Sequence, residues 1–412
     1  MIMKRYEDLS PSLRCIMTPG PVEVDPRVLR AMSFPVLGQF DPEFTDIMNE
    51  TMGMLRELFA TENKWAYPVD GTSRSGIEAV MVSLIAPGDR VLIPIYGRFG
   101  HLLHEIAERC GAEVFTIEKT WGSVFTPEEV ITAIKSFQPD VVAMVHGETS
   151  TGRMQPLAGI GWACREHDAL LIVDAVATIG GVPVETDAWM LDAVIGGTQK
   201  CLSIPSGMAP VTYNERAEAK LMKRKQVERG LRTGGAQRSE LPVVRSNYFD
   251  LGMLQDYWSE QRLNHHTEMT SMLYALREGV RLVLEEGLRE RHTRHALHER
   301  ALVAGLTAMG LELYGDPESK LTVVTCVLIP EGVDGESVRE MLLSRFGIEI
   351  ASSFGPLKGL IWRIGTMGFS CRENNVLRVL GALEAALLRH GYAVPCGLGV
   401  QAALDVYEAN AD

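Results

Sequence analysis

Seven short apolar runs between residues 65 and 212 constrain this chain more than any other feature. They fall at 65–69, 90–94, 113–117, 141–146, 170–174, 193–196 and 207–212, and stretches of helical period separate most of them. The run from Ala169 to Val173 is apolar at every position rather than at alternate ones, the pattern of a strand buried on both faces. Strands alternating with helices predict an α/β fold, a large domain whose mostly parallel seven-stranded sheet is covered by helices. Further on, a helical stretch at 269–286 leads to helices at 289–309, 335–346 and 373–390 and strands near 321–329 and 360–364. These predict a smaller C-terminal α+β domain. With the proline-rich start taken as an extended arm, the expected division is 1–28 arm, 29–285 large domain and 286–412 small domain.

Composition narrows the functions. A length of 412 residues exceeds one small core, and the net charge of -13 argues against non-specific binding of nucleic acid or an anionic membrane surface. No apolar run approaches the roughly 20 residues of a membrane span. The amino end lacks the apolar core of a signal peptide, so a cytoplasmic location is expected. Seven scattered cysteines without a C-x-x-C pair fit reduced thiols rather than disulfides or a zinc site. His292, His295 and His298 are three apart on a predicted helix, but no carboxylate pattern completes a site, and no metal is expected. Gly397-Leu-Gly-Val-Gln-Ala matches a dinucleotide fingerprint with no room for a βαβ unit behind it, so it is read as chance.

Ligands of open α/β sheets sit beyond the carboxyl ends of the strands, where Thr72, the stretch 146–149, Asp174 and Lys200 fall. A lysine after an apolar strand and two glycines is placed to be desolvated, which frees its lone pair for a Schiff base with an aldehyde. Alone it reads more readily as a solvated lysine closing a strand. Asp174, also ending an apolar strand, calls for a cationic partner, and a pyridinium nitrogen is one. Small residues from Gly71 to Gly76 at a helix start form a phosphate cradle or a plain helix cap.

Seven motifs in order join these residues: Thr18-Pro-Gly-Pro, Asp70-Gly-Thr-Ser-Arg-Ser-Gly, His146-Gly-Glu-Thr-Ser-Thr-Gly, Asp174-Ala-Val-Ala-Thr-Ile-Gly-Gly, Gly197-Thr-Gln-Lys, Asn264-His-His-Thr and Trp362-Arg-Ile-Gly. Together they resemble the class V, fold-type I aminotransferases of the alanine–glyoxylate type, over nearly the whole chain. The resemblance implies pyridoxal 5'-phosphate (PLP) as cofactor and a homodimer with its sites at the subunit interface. It implies Lys200 as the catalytic lysine, Asp174 at the ring nitrogen, and Phe99 and Val176 against the ring faces. It further implies Thr149 at the ring hydroxyl and Gln199, Thr72, Ser73 and Arg74 at the phosphate, with Thr267 reaching in from the second subunit. Arg363 would take the substrate carboxylate in a bidentate fork.

Two positions depart from the commoner family pattern, Gln39 where many relatives have histidine and Asn264 where they have tyrosine. Both replace a ring by a carboxamide, which suits a substrate carrying its own amide or urea, although neutral drift is the alternative. The pair is similar to that of the ureidoglycine–glyoxylate subgroup, which implies transfer of an amino group from ureidoglycine to glyoxylate in purine nitrogen catabolism. Alanine– or serine–glyoxylate transamination is the alternative, and a non-catalytic binding module on the same fold is a rival from another class. A cysteine desulfurase is disfavoured because Cys326 lies mid-strand.

Overall fold

The structure, a computed structural model, describes residues 6–232 and 239–410. Residues 1–5 of the expected arm, 233–238 of the basic stretch after the last large-domain strand and 411–412 of the tail lie outside the described residues.

Seven strands form the central sheet in the order Trp65–Gly71, Gly207–Tyr213, Ala193–Ile195, Leu170–Asp174, Val141–Val145, Arg90–Ile95 and Glu113–Glu118. Gly207–Tyr213 runs antiparallel to both its neighbours; the other pairings are parallel. The sheet is therefore mostly parallel, as the doubly apolar runs predict. Val141–Val145 and Leu170–Asp174 are buried at every position, because helices cover both sides. Parallel register places Val145 opposite Asp174 and Asp174 opposite Ile195, so the strand ends bearing polar residues finish level.

Helix Ser73–Leu84 lies against this sheet at its closest through Gly76. A Cβ there would stand 2.6 Å from Ala209 Cβ and 3.2 Å from Ile195 Cγ2. The absence of a side chain sets how near the helix can come, and hence where its first turn points.

A second apolar cluster gathers the C-terminal helices Leu288–Ala308, Glu373–Arg389 and Leu398–Glu408 around a three-stranded antiparallel sheet. Its strand order is Val324–Leu328, Ile361–Gly365, Ala351–Ser352. Cys15 and Met17 belong to this cluster, and Cys15–Ile16 pairs in parallel with Ile348–Glu349. Part of the proline-rich start thus packs on the chain's own C-terminal half, and Pro26–Ala31 is a short helix capped by Asp25. The glycine pattern near the carboxyl end has a packing use: a Cβ on Gly305 would meet Gly399 O at 2.8 Å, so the two glycines let helices Leu288–Ala308 and Leu398–Glu408 touch through their backbones.

Arg291 links the two clusters. Its buried guanidinium donates to Gly180 O (2.8 Å) and Cys201 O (2.5 Å) and pairs with Glu286 (2.5 Å), fastening the long helix to the turn that carries Lys200. No helix among the described residues is long and apolar enough to cross a membrane.

Replacing Gly76 by Ala should cost about 1–3 kcal/mol, the usual price of overpacking a filled core. Chemical denaturation of the purified protein measures it; unchanged stability would mean that the helix can retreat from the sheet.

Candidate active site

The carboxyl ends of the parallel strands surround a cavity of about 170 Å³. Thr72, Ser73, Arg74, Phe99, Thr149, Asp174, Val176, Gln199 and Lys200 all line it, with Gly147, Ala177, Ile77 and Leu102. Nine of the residues singled out from the sequence therefore meet in one place.

At one end sits the first turn of helix Ser73–Leu84. Its N-cap, Thr72, makes no side-chain capping bond, so the hydroxyl and the first free N–H groups stay available to an anion. Ser73 Oγ donates to Gln199 Oε1 at 2.8 Å, which fixes the Gln199 amide beside that turn. At the other end Asp174 accepts from Val176 N–H at 3.0 Å and pairs with no cation among the described residues. Burial pushes its carboxyl up to about 6, and the Glu148 charge adds to the effect.

Lys200 extends into the same cavity, and its Nζ donates to the Pro19 carbonyl. Burial, then the Arg363 guanidinium, push its amine down to about 8. The loop Thr18–Pro21 closes over this side chain, and Gly20 is what permits it. With φ at +102° and Lys200 Nζ 2.7 Å from where a Cβ would stand, the position admits no larger residue without moving the lysine.

Arg363 is buried on strand Ile361–Gly365. It donates from Nε to Ser352 O (2.7 Å) and from Nη1 to Thr149 O (3.0 Å), and its guanidinium carbon lies 4.6 Å from the Phe354 ring centroid. It forms no ion pair with a carboxylate among the described residues, and burial lowers it to about 10. A guanidinium taken out of water without a carboxylate is prepared for an anionic ligand.

Glu148 falls in the stretch 146–149 picked out from the sequence but was given no role there, yet it organises the site. Fully buried, it accepts from Phe99 N–H (2.8 Å) and from Ser150 N–H and Oγ–H (3.1 and 2.5 Å), and burial raises its carboxyl. It holds the Gly97-Arg98-Phe99 turn against the strand end, so Phe99 is placed by a carboxylate acting on backbone. The sequence signal is its place in His146-Gly-Glu-Thr-Ser, but a side chain whose partner is a distant main-chain N–H leaves no pattern of its own.

Arg363, Gln39, Asn264 and Thr267 are not among the residues lining this cavity. Gln39 Nε2 donates to Asn264 Oδ1 at 3.1 Å, and Asn264 and Thr267 are exposed. The histidines at 292, 295 and 298 do not converge: His295 Nε2 accepts from Gly368 N–H (2.9 Å), and His298 Nδ1 bonds the Tyr407 hydroxyl (2.8 Å). Cys326 is buried mid-strand, where burial lifts its thiol to about 11, far from a nucleophile's range.

A lysine with a depressed pKa, a desolvated carboxylate and a free helix N-terminus around one cavity are groups of the kind that PLP calls for. The comparisons agree with that class. The model of the aminotransferase class-V family matches residues 36–357, so the chain belongs to the class-V aminotransferases, PLP-dependent enzymes. It is 68% identical over 409 residues to the (S)-ureidoglycine–glyoxylate transaminase of Bacillus subtilis, covering 98% of each chain. The crystal structure of ureidoglycine–glyoxylate aminotransferase from Bacillus subtilis superposes with a TM-score of 0.92 at 66% identity, over 98% of this chain and 100% of that one. Mouse alanine–glyoxylate aminotransferase is 35% identical over 383 residues, covering 92% of this chain and 89% of its own.

Reductive methylation of the cofactor-free protein reads the neutral amine directly. Lys200 should be labelled with a midpoint near pH 8, more slowly below it and at a plateau above. A midpoint in the ordinary lysine range would show that the side chain is solvated.

Proposed function

We propose that this chain is an aminotransferase that moves the amino group of (S)-ureidoglycine to glyoxylate, giving glycine and an oxo acid, oxalurate. The observation that carries the reading is the Gln39–Asn264 pair. Their mutual bond uses the Gln39 amide nitrogen and the Asn264 oxygen. Left over are Gln39 Oε1, buried with no hydrogen-bond partner, and the Asn264 amide nitrogen. One acceptor beside one donor complements a urea, whose NH2 donates and whose carbonyl accepts. A substrate without those groups leaves the buried acceptor unpaired, which is how such a site discriminates. The name of the Bacillus subtilis relative points the same way.

Bound PLP supplies an electron sink for the carbanion at the substrate Cα. Asp174 would hold the ring nitrogen protonated, and Thr149 would bond the ring hydroxyl. Phe99 and Val176 would confine the ring, while Thr72, Ser73, Arg74 and Gln199 would hold the phosphate. Arg363 grips the carboxylate of either substrate, which fixes the Cα–H bond in one orientation. Lys200, whose amine is half neutral near pH 8 and more so above it, takes the Cα proton and returns it. The closed loop at Gly20 keeps water from that amine.

The reading includes a homodimer in the cytoplasm, divided as arm 1–28, large domain 29–285 and small domain 286–412. In it Gln39, Asn264 and Thr267 serve at the subunit interface, with Thr267 completing the partner's phosphate site. Leu9 and Leu13, 94% and 96% exposed on the starting segment, support a partner surface that covers them.

Lys200→Ala should abolish turnover. Asn264→Tyr should lower kcat/KM for ureidoglycine relative to alanine about tenfold, the worth of one or two hydrogen bonds. Steady-state rates with both donors and glyoxylate test this. An unchanged ratio sinks the carboxamide argument, and a wild-type preference for alanine or serine moves the function to the general glyoxylate aminotransferases.

A further inference from the structure

Outside the cavity, three donors from distant parts of the chain converge. Asp70 lies near the end of strand Trp65–Gly71, and His266 and Glu268 flank Thr267 ahead of helix Thr270–Glu286. His266 Nε2 stands 3.2 Å from Asp70 Oδ2 and 3.5 Å from Glu268 Oε2, and the ligand atoms of all three lie within 4.8 Å of one another. Asp70 is 6% and Glu268 4% exposed. Yet both Glu268 oxygens, Asp70 Oδ1 and His266 Nε2 are buried without a hydrogen-bond partner. The buried Tyr257 hydroxyl also lacks one, and its ring centroid is 4.8 Å from that of His266.

The tautomers follow from the outer contacts. His265 Nε2 faces the Asn247 carbonyl at 3.3 Å, and a carbonyl only accepts, so this nitrogen carries the hydrogen. With the hydrogen on Nε2, the neutral ring presents Nδ1 as an acceptor 2.8 Å from His266 Nδ1. His266 Nδ1 must then be the donor, and its Nε2 is the atom turned toward the two carboxylates. A metal-ligating histidine donates its other ring N–H to an outer acceptor, and His265 Nδ1 offers one here.

Two carboxylates and an imidazole nitrogen that meet away from water call for a cation, either a proton on Nε2 or a metal ion. A proton on Nε2 would draw one carboxylate into a charge-assisted bond of about 2.7–2.9 Å, shorter than either distance here. A tetrahedral metal ion at about 2.0–2.2 Å from its nitrogen and oxygen ligands instead holds those ligands about 3.3–3.6 Å apart. The two spacings of His266 bracket the lower part of that range. A divalent ion would balance two carboxylates and a neutral imidazole.

We propose that Asp70, His266 and Glu268 form a site for a divalent first-row metal ion, which ties the strand leading into the phosphate cradle to the segment carrying Asn264 and Thr267. The site stands independently of the substrate reading above.

Zinc chloride tests it on the full-length holoenzyme after chelator treatment and desalting. Elemental analysis should find about one zinc per chain retained through a second desalting, and the melting temperature should rise with zinc concentration, as mass action requires. The isosteric Glu268→Gln and the variant His266→Ala should bind at least tenfold more weakly, whereas Cys396→Ser, which removes the exposed thiol, should bind as the parent does. Should Glu268→Gln fail to fold, the zinc-dependent rise in the parent's melting temperature still decides. No retained zinc and no shift in the parent would overturn the site and leave a protonated His266 between two carboxylates. Equal binding by the parent and both site variants, or loss of zinc only in Cys396→Ser, would place the metal elsewhere.

Discussion

Desolvation of charge is the condition on which the site depends. Glu148, Asp174, Lys200 and Arg363 come from four separate stretches of chain, yet their charges act on one another in one dry region. None forms an ion pair with another among the described residues. Each is held instead by neutral groups: Glu148 by N–H and hydroxyl donors, Asp174 by Val176 N–H, Lys200 by the Pro19 carbonyl and Arg363 by two carbonyls. Dipoles fix position without discharging the group, so carboxylate, amine and guanidinium stay separately available. A ligand with several charged groups can thus meet a separate group of the chain for each.

The parallel sheet makes that separation possible. Strands that finish level deliver polar residues to one edge, and the burial of their apolar bodies holds the edge dry. For this reason much of the site was legible in the sequence. Thr72, Thr149, Asp174 and Lys200 follow apolar runs within a few residues, and the rule that ligands sit beyond strand ends carries them into one cavity. Their chemistry was visible because it lies next to the pattern that builds the sheet. The direction of Gly207–Tyr213 was less so, since an apolar run reads the same in either sense.

What stayed hidden depends on main-chain geometry or on distant partners. Gly20 reads as one more glycine in a proline-rich stretch; only the fold shows that Lys200 occupies the place of its side chain. Glu148 acts on the Phe99 N–H, and a backbone donor has no identity in a sequence. The helix Leu398–Glu408 carries glycines that imitate a nucleotide fingerprint but serve a helix contact. The histidines three apart on Leu288–Ala308, set aside as metal ligands in the sequence, include His295 and His298, which bond Gly368 and Tyr407, while convergent donors sit at positions 70, 266 and 268. Helical spacing brings ligands to one face only when the partner element supplies the rest, and here the strand end does so.

Position 70 shows why these levels cannot be separated. Asp70 stands opposite Met208 in the sheet and two residues before the N-cap of helix Ser73–Leu84. Its main chain therefore sets where the free N–H groups of that helix begin, while its side chain faces His266 and Glu268. Any shift of the segment around Thr267 is transmitted through that cluster to the strand feeding the cradle, and the reverse holds equally. Because a packed strand cannot slide by part of a residue without losing its register, the cluster acts on the cradle as a fixed point rather than as a soft spring. The exposed segment with Asn264 and the enclosed turn at Thr72 are thus held to one reference, although nearly two hundred residues separate them in the chain.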